Sequence, residues 1–401
     1  MGIFNPFKKK STDILTVADL ADLTGHNASS GVAVTREAAL QVSTVFACVK
    51  VLADGVAGTP LKLYQRSENG RTDLSGTDLA RVLTRRPNEW QTGFEFRETM
   101  MMHAALTGDA FAFKNVVNGQ LRELIPLLPN WVSIRRDSED GSPVYSVTTP
   151  YGISDANLTS DQIFHIKRSS WDSVSGLPAI KYARNAIGLA IATEDHHGKL
   201  HANGGRPGGI LTFPEALTPE KAKETAERWR RAFTGAQNAF KTAILDMGVK
   251  YQALSSSGVD NQHLETRRFQ IEEICRYMKV FPQMVMSSDK TATYASAEAF
   301  FSAHVPHTLS PWLQIWAERI DEFLLDGAGP LFVEFDTADM QRASLKELAD
   351  AARSLAETGV LTRNEIREML FKRGPLAGLD TPLTPLNMQG EADEARSTPE
   401  N

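Results

Sequence analysis

Two long helical segments enclose a small strand–helix–strand unit, and this order limits the possible fold more than any other feature of the chain. The first segment, residues 176–204, places Ile180 and Ile187 on one side of a helix. The second, residues 255–286, returns as another long helix. The unit between them, residues 205–254, contains GILTFP, then TPEKAKETAERWRRAFTG, then KTAILDMG. A chain that runs out along one helix and back along another predicts a stalk that carries a compact, βαβ-like tip.

The segment before the stalk, residues 35–175, predicts an α+β domain. Apolar residues at helical spacing predict a helix over 36–57, and Thr92 with Glu95 has the spacing of a capping box that opens a second helix. The predicted strands follow largely as one block: LKLYQ, DAFAFKNVV, QLRELIPL, WVSIRR, PVYSVTT and QIFHIKR. The turn Asn118–Gly119 predicts that the second and third of these form a hairpin. Strands grouped in this way do not predict an alternating βαβ arrangement.

The remaining segments complete the organisation of the chain. Residues 299–340 predict a long helix followed by the strand LFVEFD, and residues 341–373 predict a hairpin of two helices that is too small to bury its own apolar faces. Both ends offer little to bury. Residues 1–34 predict a mobile arm, and residues 374–401 predict a solvated tail rich in proline, glycine and acids.

Composition places the chain among folded proteins without a membrane span. The 401 residues are 42% hydrophobic and 23% charged, and the longest apolar runs, such as residues 187–192, are far too short to cross a bilayer. The net charge of −6 gives no overall attraction to nucleic acid. The two cysteines, Cys48 and Cys275, are far apart in the sequence and form no CxxC motif, so a reducing compartment is expected.

No group of residues has the pattern of a catalytic site. His197 and His201 have the i, i+4 spacing of a metal pair, but no HExxH glutamate and no third ligand accompany them, which favours surface histidines. The glycine-rich residues 204–209 match neither a Walker A motif nor a GxGxxG fingerprint and are interpreted as a hinge. There is also no GxSxG motif. We therefore expect a protein that is not an enzyme and that needs no cofactor or metal.

The stretch SSDKTATYAS, residues 287–296, is unusual for a connection between two helices. Hydroxyl and alanine side chains dominate it, with one lysine and one tyrosine, so it can bury little apolar surface. It is also longer than an ordinary helix–helix turn. Such a loop needs an explanation other than core packing.

Several segments together resemble the tailed-phage portal proteins, in the compact class associated with long-tailed phages. The most specific is RRPNEWQTGFEFRETMMMHAALTGDAFAF at 85–113, and VFACVKVLADGVAGTPLKLY precedes it at 45–64. Later segments follow in the expected order: GGRPGGILTFP, GVDNQHLETRRFQIEEICRYMKVFPQMV, KTATYASAEAF, LFVEFDTADMQRA and GVLTRNEIREML. The resemblance extends from about Val42 to Pro385. Two stretches depart from the family pattern, VFPQMV with a single proline and GDAFAF without the usual asparagine, and both concern local loop shape.

The resemblance implies a portal fold that assembles as a ring of twelve subunits. The ring would stand at one vertex of a capsid and enclose a channel for double-stranded DNA. Residues 35–175 would belong to the wing, the long helices 176–204 and 255–286 to the stem, residues 205–254 to the clip, and residues 341–373 to the crown. The chain would then be a virion component that is assembled in the cytoplasm of the bacterial host, in a phage or in a gene transfer agent.

The resemblance also implies partners. Because the chain has no NTP-binding loop, a large terminase subunit would dock at the clip and supply the energy for packaging. A head–tail adaptor protein would later replace it, while the wing and crown face the major capsid protein and the packaged DNA. Two other classes stay open, namely a different head–tail adaptor ring and a head-maturation hydrolase.

By the same resemblance, residues 287–298 would be the tunnel loop, which projects from the channel wall toward the DNA. A ring repeats each loop residue in every subunit, so Lys290 would form a collar of ammonium groups that contacts phosphates without reading the base sequence. The hydroxyls of Thr291, Thr293 and Ser296 would bond phosphates weakly, and Tyr294 would rest on the wall or on the DNA backbone. The alternative is a surface loop without such a role.

Overall fold

The computed structural model describes residues 26–68, 70–152, 154–202, 209–213, 216, 218–233, 250–253, 259–287, 300, 302–325, 327, 329–337, 345–371 and 373–383. The chain divides into two compact units, Met1–Phe335 and Asp336–Asn401.

The described strands form small antiparallel sheets instead of one large sheet. In chain order they are β1 (His26–Asn27), β2 (Ala33–Val34), β3 (Leu61–Ser67), β4 (Gly70–Asp73), β5 (Asp109–Val117), β6 (Gln120–Leu127), β7 (Val132–Arg136), β8 (Pro143–Thr148), β9 (Ser154–Leu158), β10 (Ile163–Lys167), β11 (Gly209–Thr212), β12 (Lys250–Ala253) and β13 (Leu331–Phe335). The three-stranded sheets have the orders β10-β5-β6, β13-β3-β4 and β7-β8-β9. This arrangement confirms the predicted α+β class.

The helices carry the long connections between these sheets. In chain order they are α1 (Arg36–Gln41), α2 (Ser43–Gly58), α3 (Asp78–Ala80), α4 (Gly93–Thr107), α5 (Ala179–Ala202), α6 (Pro219–Phe233), α7 (Val259–Met278), α8 (Ser310–Leu324), α9 (Leu345–Glu357) and α10 (Arg363–Phe371). Helices α5 and α7 are the two long helices that the sequence predicts on either side of the small unit. They pack against each other, with the Gln270 side-chain amide 3.4 Å from the Thr193 hydroxyl.

The main core of the first unit joins helices from distant parts of the chain. Its fully buried side chains include Leu52 of α2, Met100 and Met101 of α4, and Trp316 of α8. The Trp316 indole N–H donates to the Met101 sulfur at 3.2 Å. Because α8 is held in this core, the segment after it adds β13 to the edge of β3 in an antiparallel register.

Helix α4 begins and ends as the sequence predicts. The Thr92 hydroxyl accepts from the Glu95 amide at 3.2 Å, and the Glu95 carboxylate accepts from the Thr92 amide at 2.7 Å, which completes the capping box. Gly108 ends the helix with a φ of 88°. A Cβ at Gly108 would lie 2.7 Å from the carbonyl of Gly176, so only glycine lets the two backbones approach this closely.

The predicted hairpin of β5 and β6 is also confirmed. Asn118 and Gly119 have φ values of 53° and 74°, the left-handed conformations that a type I′ turn requires. The register places Val117 opposite Gln120 directly beside this turn.

Two features of the first unit differ from the prediction at its N-terminal end. The helix predicted over 36–57 is interrupted at Val42, which is extended (φ −74°, ψ 112°) and buries its side chain in the core between α1 and α2. The prediction of a mobile arm over residues 1–34 is wrong for the last residues of that range, because residues 26–34 form the β1–β2 hairpin. This hairpin contacts α5, where the Ser29 amide donates to Asn185 Oδ1 at 3.1 Å.

In the small unit between α5 and α7, the strand at GILTFP is confirmed as β11, and it pairs antiparallel with β12. The strand predicted for KTAILDMG, residues 241–248, lies outside the described residues. Helix α6 begins as predicted, with Pro219 as its first residue and the Thr218 hydroxyl accepting from the Lys221 amide at 3.4 Å.

The second unit contains the predicted helical hairpin and the start of the tail. A capping box at Thr362 and Glu365 opens α10. Asn364 is buried, and its Nδ2 donates to the Leu376 carbonyl at 2.9 Å and to the Asp380 carboxylate at 2.6 Å. The tail residues 373–383 remain largely exposed, but Asn364 ties their backbone to α10 instead of leaving it free.

Candidate nucleic-acid interface

The chain leaves α7 through a tightly bonded turn that precedes the predicted tunnel loop. Lys279 has a φ of 57°, in the left-handed region. The Val280 amide donates to the Cys275 carbonyl at 3.0 Å and the Lys279 amide to the Arg276 carbonyl at 3.2 Å, which is the Schellman pattern of a helix end. Val280 is buried, so the chain is anchored in the core immediately after the helix.

A short 3-10 turn, Pro282–Val285, leads from this anchor to the loop. Met284 and Val285 pack against the main core. Met286 then has a φ of 61° and exposes 94% of its side-chain surface. The chain therefore turns from the core to the solvent at Met286, one residue before the described segment ends.

The C-terminal side of the predicted loop contacts this same turn. The ring centroids of Phe281 and Phe300 lie 5.8 Å apart. The buried Thr308, in a π-helical turn that runs into α8, donates its hydroxyl to the Lys279 carbonyl at 3.0 Å. The two ends of the loop are therefore fixed to each other, and we call residues 279–285, 300 and 302–309 the loop base.

Positive charge at the loop base comes from Lys279 and from the neighbouring Arg276. Arg276 contacts the carboxylates of Glu272, at 3.2 Å, and Glu273, so its charge is locally balanced. Lys279 is exposed and forms no ion pair with another residue of the described ranges. His304, by contrast, is buried, and burial lowers the pKa of its imidazole, so it stays neutral at neutral pH. A single free ammonium group therefore marks this surface.

The residues that the sequence predicts to face DNA lie outside the described residues. They are Lys290, Thr291, Thr293, Tyr294 and Ser296. The described residues fix where the segment that carries them is attached, at two points joined by the Phe281–Phe300 contact.

Sequence reasoning missed the loop base. Pro306 within HVPHTLSP was an available signal, because a proline inside a helical pattern removes an amide donor and favours an irregular turn such as the observed π turn. No local signal pairs Thr308 with Lys279, which are 29 residues apart.

A buried polar chain crosses the sheet that contains β5 and β10. The Tyr145 hydroxyl lies 3.1 Å from His165 Nδ1, and His165 Nε2 lies 2.8 Å from Asp109 Oδ1, which also accepts from the Gly176 amide at 2.7 Å. Burial lowers the pKa of His165 and raises the pKa of Tyr145 to about 12. Tyr145 therefore keeps its proton, and its side chain is almost fully buried. This series of hydrogen bonds holds the strands together and does not prepare Tyr145 to act as a nucleophile.

The hallmark segment 85–113 likewise makes structural contacts. Asn88 is buried, and its side chain donates to the Leu124 carbonyl at 3.0 Å and accepts from the Gln91 amide at 2.9 Å. Arg97 is buried as well and donates to the Ala57 carbonyl at 2.8 Å, at the end of α2. These hydrogen bonds hold α4 against its neighbours. They also give the buried side chains of Asn88 and Arg97 the hydrogen-bond partners that buried polar groups need.

In the described part of the chain, none of the helices is long and apolar enough to span a bilayer. The described residues also contain no cluster of His, Cys, Asp and Glu suited to a metal ion.

Comparison with known proteins decides what this fold is. Residues 43–370 match the family described as "Phage portal protein". The chain belongs to the phage portal protein family. The portal protein of Enterobacteria phage HK97 is 28% identical over 338 residues, which are 82% of this chain and 78% of that protein. The resemblance predicted from the sequence is thus confirmed.

Solved portal-type structures share the fold. A chain in the neck of an empty gene transfer agent particle, computed with C6 symmetry, has a TM-score of 0.60 and 25% identity and covers 83% of this chain and 90% of its own length. A chain in the neck of a native particle, computed with C12 symmetry, has a TM-score of 0.60 and 21% identity and covers 88% and 97%. Portal proteins are structural components of the virion at a capsid vertex, and the chain is assigned to that place.

Proposed function

We propose that this portal protein forms a ring-shaped channel through which double-stranded DNA is packaged and later ejected. The observation that carries the proposal is the family match over residues 43–370. The fold likeness to a neck chain computed with C12 symmetry supports a homo-oligomeric ring of twelve subunits.

Within the ring, residues 287–298 are the tunnel loop that faces the DNA. The loop base supports this role, because it holds both ends of the loop in place while the chain turns outward at Met286. One lysine among hydroxyls, Lys290, suits a conduit, since phosphate contacts carry no base-sequence information. Strong binding would stall movement of the DNA, and the net charge of −6 per chain keeps the ring from being strongly attractive overall.

The other parts of the chain divide the remaining tasks. Residues 35–175 form the wing, α5 and α7 the stem, residues 205–254 the clip and residues 341–373 the crown. The clip is the docking site first for the large terminase subunit and then for a head–tail adaptor protein. The wing and crown face the major capsid protein and the packaged DNA. The chain has no Walker A motif, so the energy for packaging comes from the terminase.

The test is DNA packaging by particles that carry Lys290→Ala or Lys290→Glu. Ring formation and thermal stability should change little, since exposed substitutions usually shift stability by under about 0.5 kcal/mol. The amount of nuclease-protected DNA per particle should fall more for Lys290→Glu, which places a ring of carboxylates against the phosphates. In the Lys290→Ala ring, residual DNA affinity should depend less on salt, because fewer counterions are released.

Lys181→Glu is the matched control. It makes the same charge change at an exposed lysine of α5, outside the loop base. We expect it to protect as much DNA as the wild type. If Lys290→Glu particles protect wild-type amounts of DNA at low salt, the loop does not face the DNA. If Lys290→Glu and Lys181→Glu particles lose the same amount of protected DNA, the loss comes from the overall charge and the assignment of Lys290 is wrong.

A further inference from the structure

The two cysteines of the chain meet in the core. Cys48 lies on α2 and Cys275 on α7, 227 positions apart in the sequence, yet their sulfur atoms are 3.8 Å apart. Both are free thiols and both are buried. Nothing in the sequence indicates that the two cysteines are in contact, whereas the structure places them together where α2 packs against α7. A bond between them would tie the helix that carries the loop base to the centre of the core.

Cys275 adjoins a cavity that described residues line. A cavity of about 570 Å³ lies beside the end of α7, and Cys275 forms part of its wall together with Lys279, Phe281 and Thr308. Cys48 does not line this cavity and is completely buried behind Cys275. A small reagent that enters the cavity therefore reaches Cys275 first and Cys48 only through it.

The surroundings also make the two thiols unequal. The hydrogen bond with Cys275 and burial raise the pKa of Cys48, so Cys48 keeps its proton. The same hydrogen bond lowers the pKa of Cys275, because it stabilises a thiolate at that sulfur. Burial and the carboxylate of Glu272 act in the opposite direction, but Glu272 is paired with Arg276, and the ammonium group of Lys279, unpaired among the described residues, lines the same cavity. A lowered pKa near positive charge is the setting of reactive cysteines.

We propose that Cys48 and Cys275 are a redox pair that closes to an intramolecular disulfide, with Cys275 as the attacking thiol. The oxidant is a small disulfide. The Cys275 thiolate attacks one of its sulfurs, forms a mixed disulfide and releases the first thiolate. Cys48 then attacks Cys275 Sγ, and the second thiol leaves. The two cysteines together lose two electrons and two protons, and these reduce the reagent disulfide to two thiols.

The reaction fits the two environments of a virion protein. Cytosolic thiol buffers keep such a pair reduced while the protein is made. A particle released from the cell meets oxidising surroundings, where the bond can form. The bond would close a loop of 227 residues, and long loops are the ones whose closure stabilises a chain most in the chain-entropy account.

The experiment uses the intact protein in its assembled state and the small disulfide 4,4′-dithiodipyridine. The wild type should release two pyridinethiones per chain and retain none of the reagent, so that its mass falls by two hydrogens. Cys48→Ala should release one and keep one pyridylthio group on Cys275. Cys275→Ala should react at least about tenfold more slowly, because Cys48 is both buried and protonated.

A second measurement separates a bond from mere modification. The melting temperature of the oxidised wild type should rise by about 5 °C and return on addition of dithiothreitol. Neither alanine variant should show this shift. Retention of two pyridylthio groups by the wild type would overturn the proposal. So would an absence of reaction in the native protein when the guanidinium-unfolded chain reacts fully, or equal rates for the two variants. The wild-type result decides even if a variant does not assemble.

Discussion

The rings of Phe281 and Phe300 lie 5.8 Å apart and join the two ends of the loop that the sequence predicts to face DNA. Beside them, the Thr308 hydroxyl donates to the Lys279 carbonyl. Closing a loop costs conformational entropy, and contacts of the loop base with the core offset this cost. Described residues on either side of the predicted loop therefore hold its two ends in place.

The left-handed conformation of Lys279 predicts an unusual response to glycine. Glycine adopts a φ of 57° without the penalty of a side chain, so Lys279→Gly should stabilise the protein by about 0.5–1 kcal/mol. Lys181→Gly, at the third residue of α5, should instead destabilise it by up to about 1 kcal/mol. The melting temperatures of both variants, measured on assembled rings, test the difference. A lower melting temperature for Lys279→Gly would show that the lysine side chain itself supports the loop base.

The partly buried His103 predicts a loss of stability in acid. Burial, assisted by the charge of Arg36, lowers the pKa of His103 from 6.5 to about 4. The folded chain therefore binds fewer protons than the unfolded chain at mildly acid pH, and stability falls as the pH drops below 6.5. The loss should level off near the folded pKa, at roughly 3 kcal/mol in total. His103→Gln should remove this part of the pH dependence.

The exposed His196 provides the control for that experiment. His196→Gln should leave the pH dependence of the melting temperature as it is in the wild type. The prediction fails if His103→Gln and the wild type lose the same stability between pH 7 and pH 4.

The contacts of Asn364 predict that the tail has two parts. Deletion of residues 389–401 should leave ring formation intact, because this acidic segment has little to bury. Asn364→Ala should lower the stability of the second unit by about 1–3 kcal/mol, since it removes the partners of the Leu376 backbone. Limited proteolysis should then cut within residues 373–383. Loss of assembly after the short deletion would instead show that the last residues are a structural tie.

Local signals in the sequence predicted much of this fold. The capping box at Thr92 and Glu95 and the turn Asn118–Gly119 depend on residues within one turn of each other, so they could be recognised without knowing the rest of the structure. The extended conformation of Val42 could not be recognised in this way, because it depends on how the Val42 side chain packs in the core between α1 and α2.

The sequence predicts the loop of the candidate site but not the loop base. The position of the loop came from composition and from the resemblance to portal proteins, and Lys290 remains a prediction. The loop base depends on contacts between segments far apart in the chain, such as Thr308 with Lys279. The Cys48–Cys275 contact is of the same kind, since spacing in the sequence says nothing about which helices pack together.

Helices α5 and α7 leave apolar side chains in solvent when the chain is alone. Tyr182 and Leu189 of α5 and Phe269 and Tyr277 of α7 are between 43% and 57% exposed. Packing between neighbouring subunits of a ring would cover surface of this kind.

The mass of the purified protein in solution tests the central claim most directly. The account predicts a closed assembly of about twelve times the 44.1 kDa chain, with ring-shaped particles in negative-stain images. A neighbouring subunit number would still be a ring. A stable 44.1 kDa monomer at micromolar concentration would contradict the account.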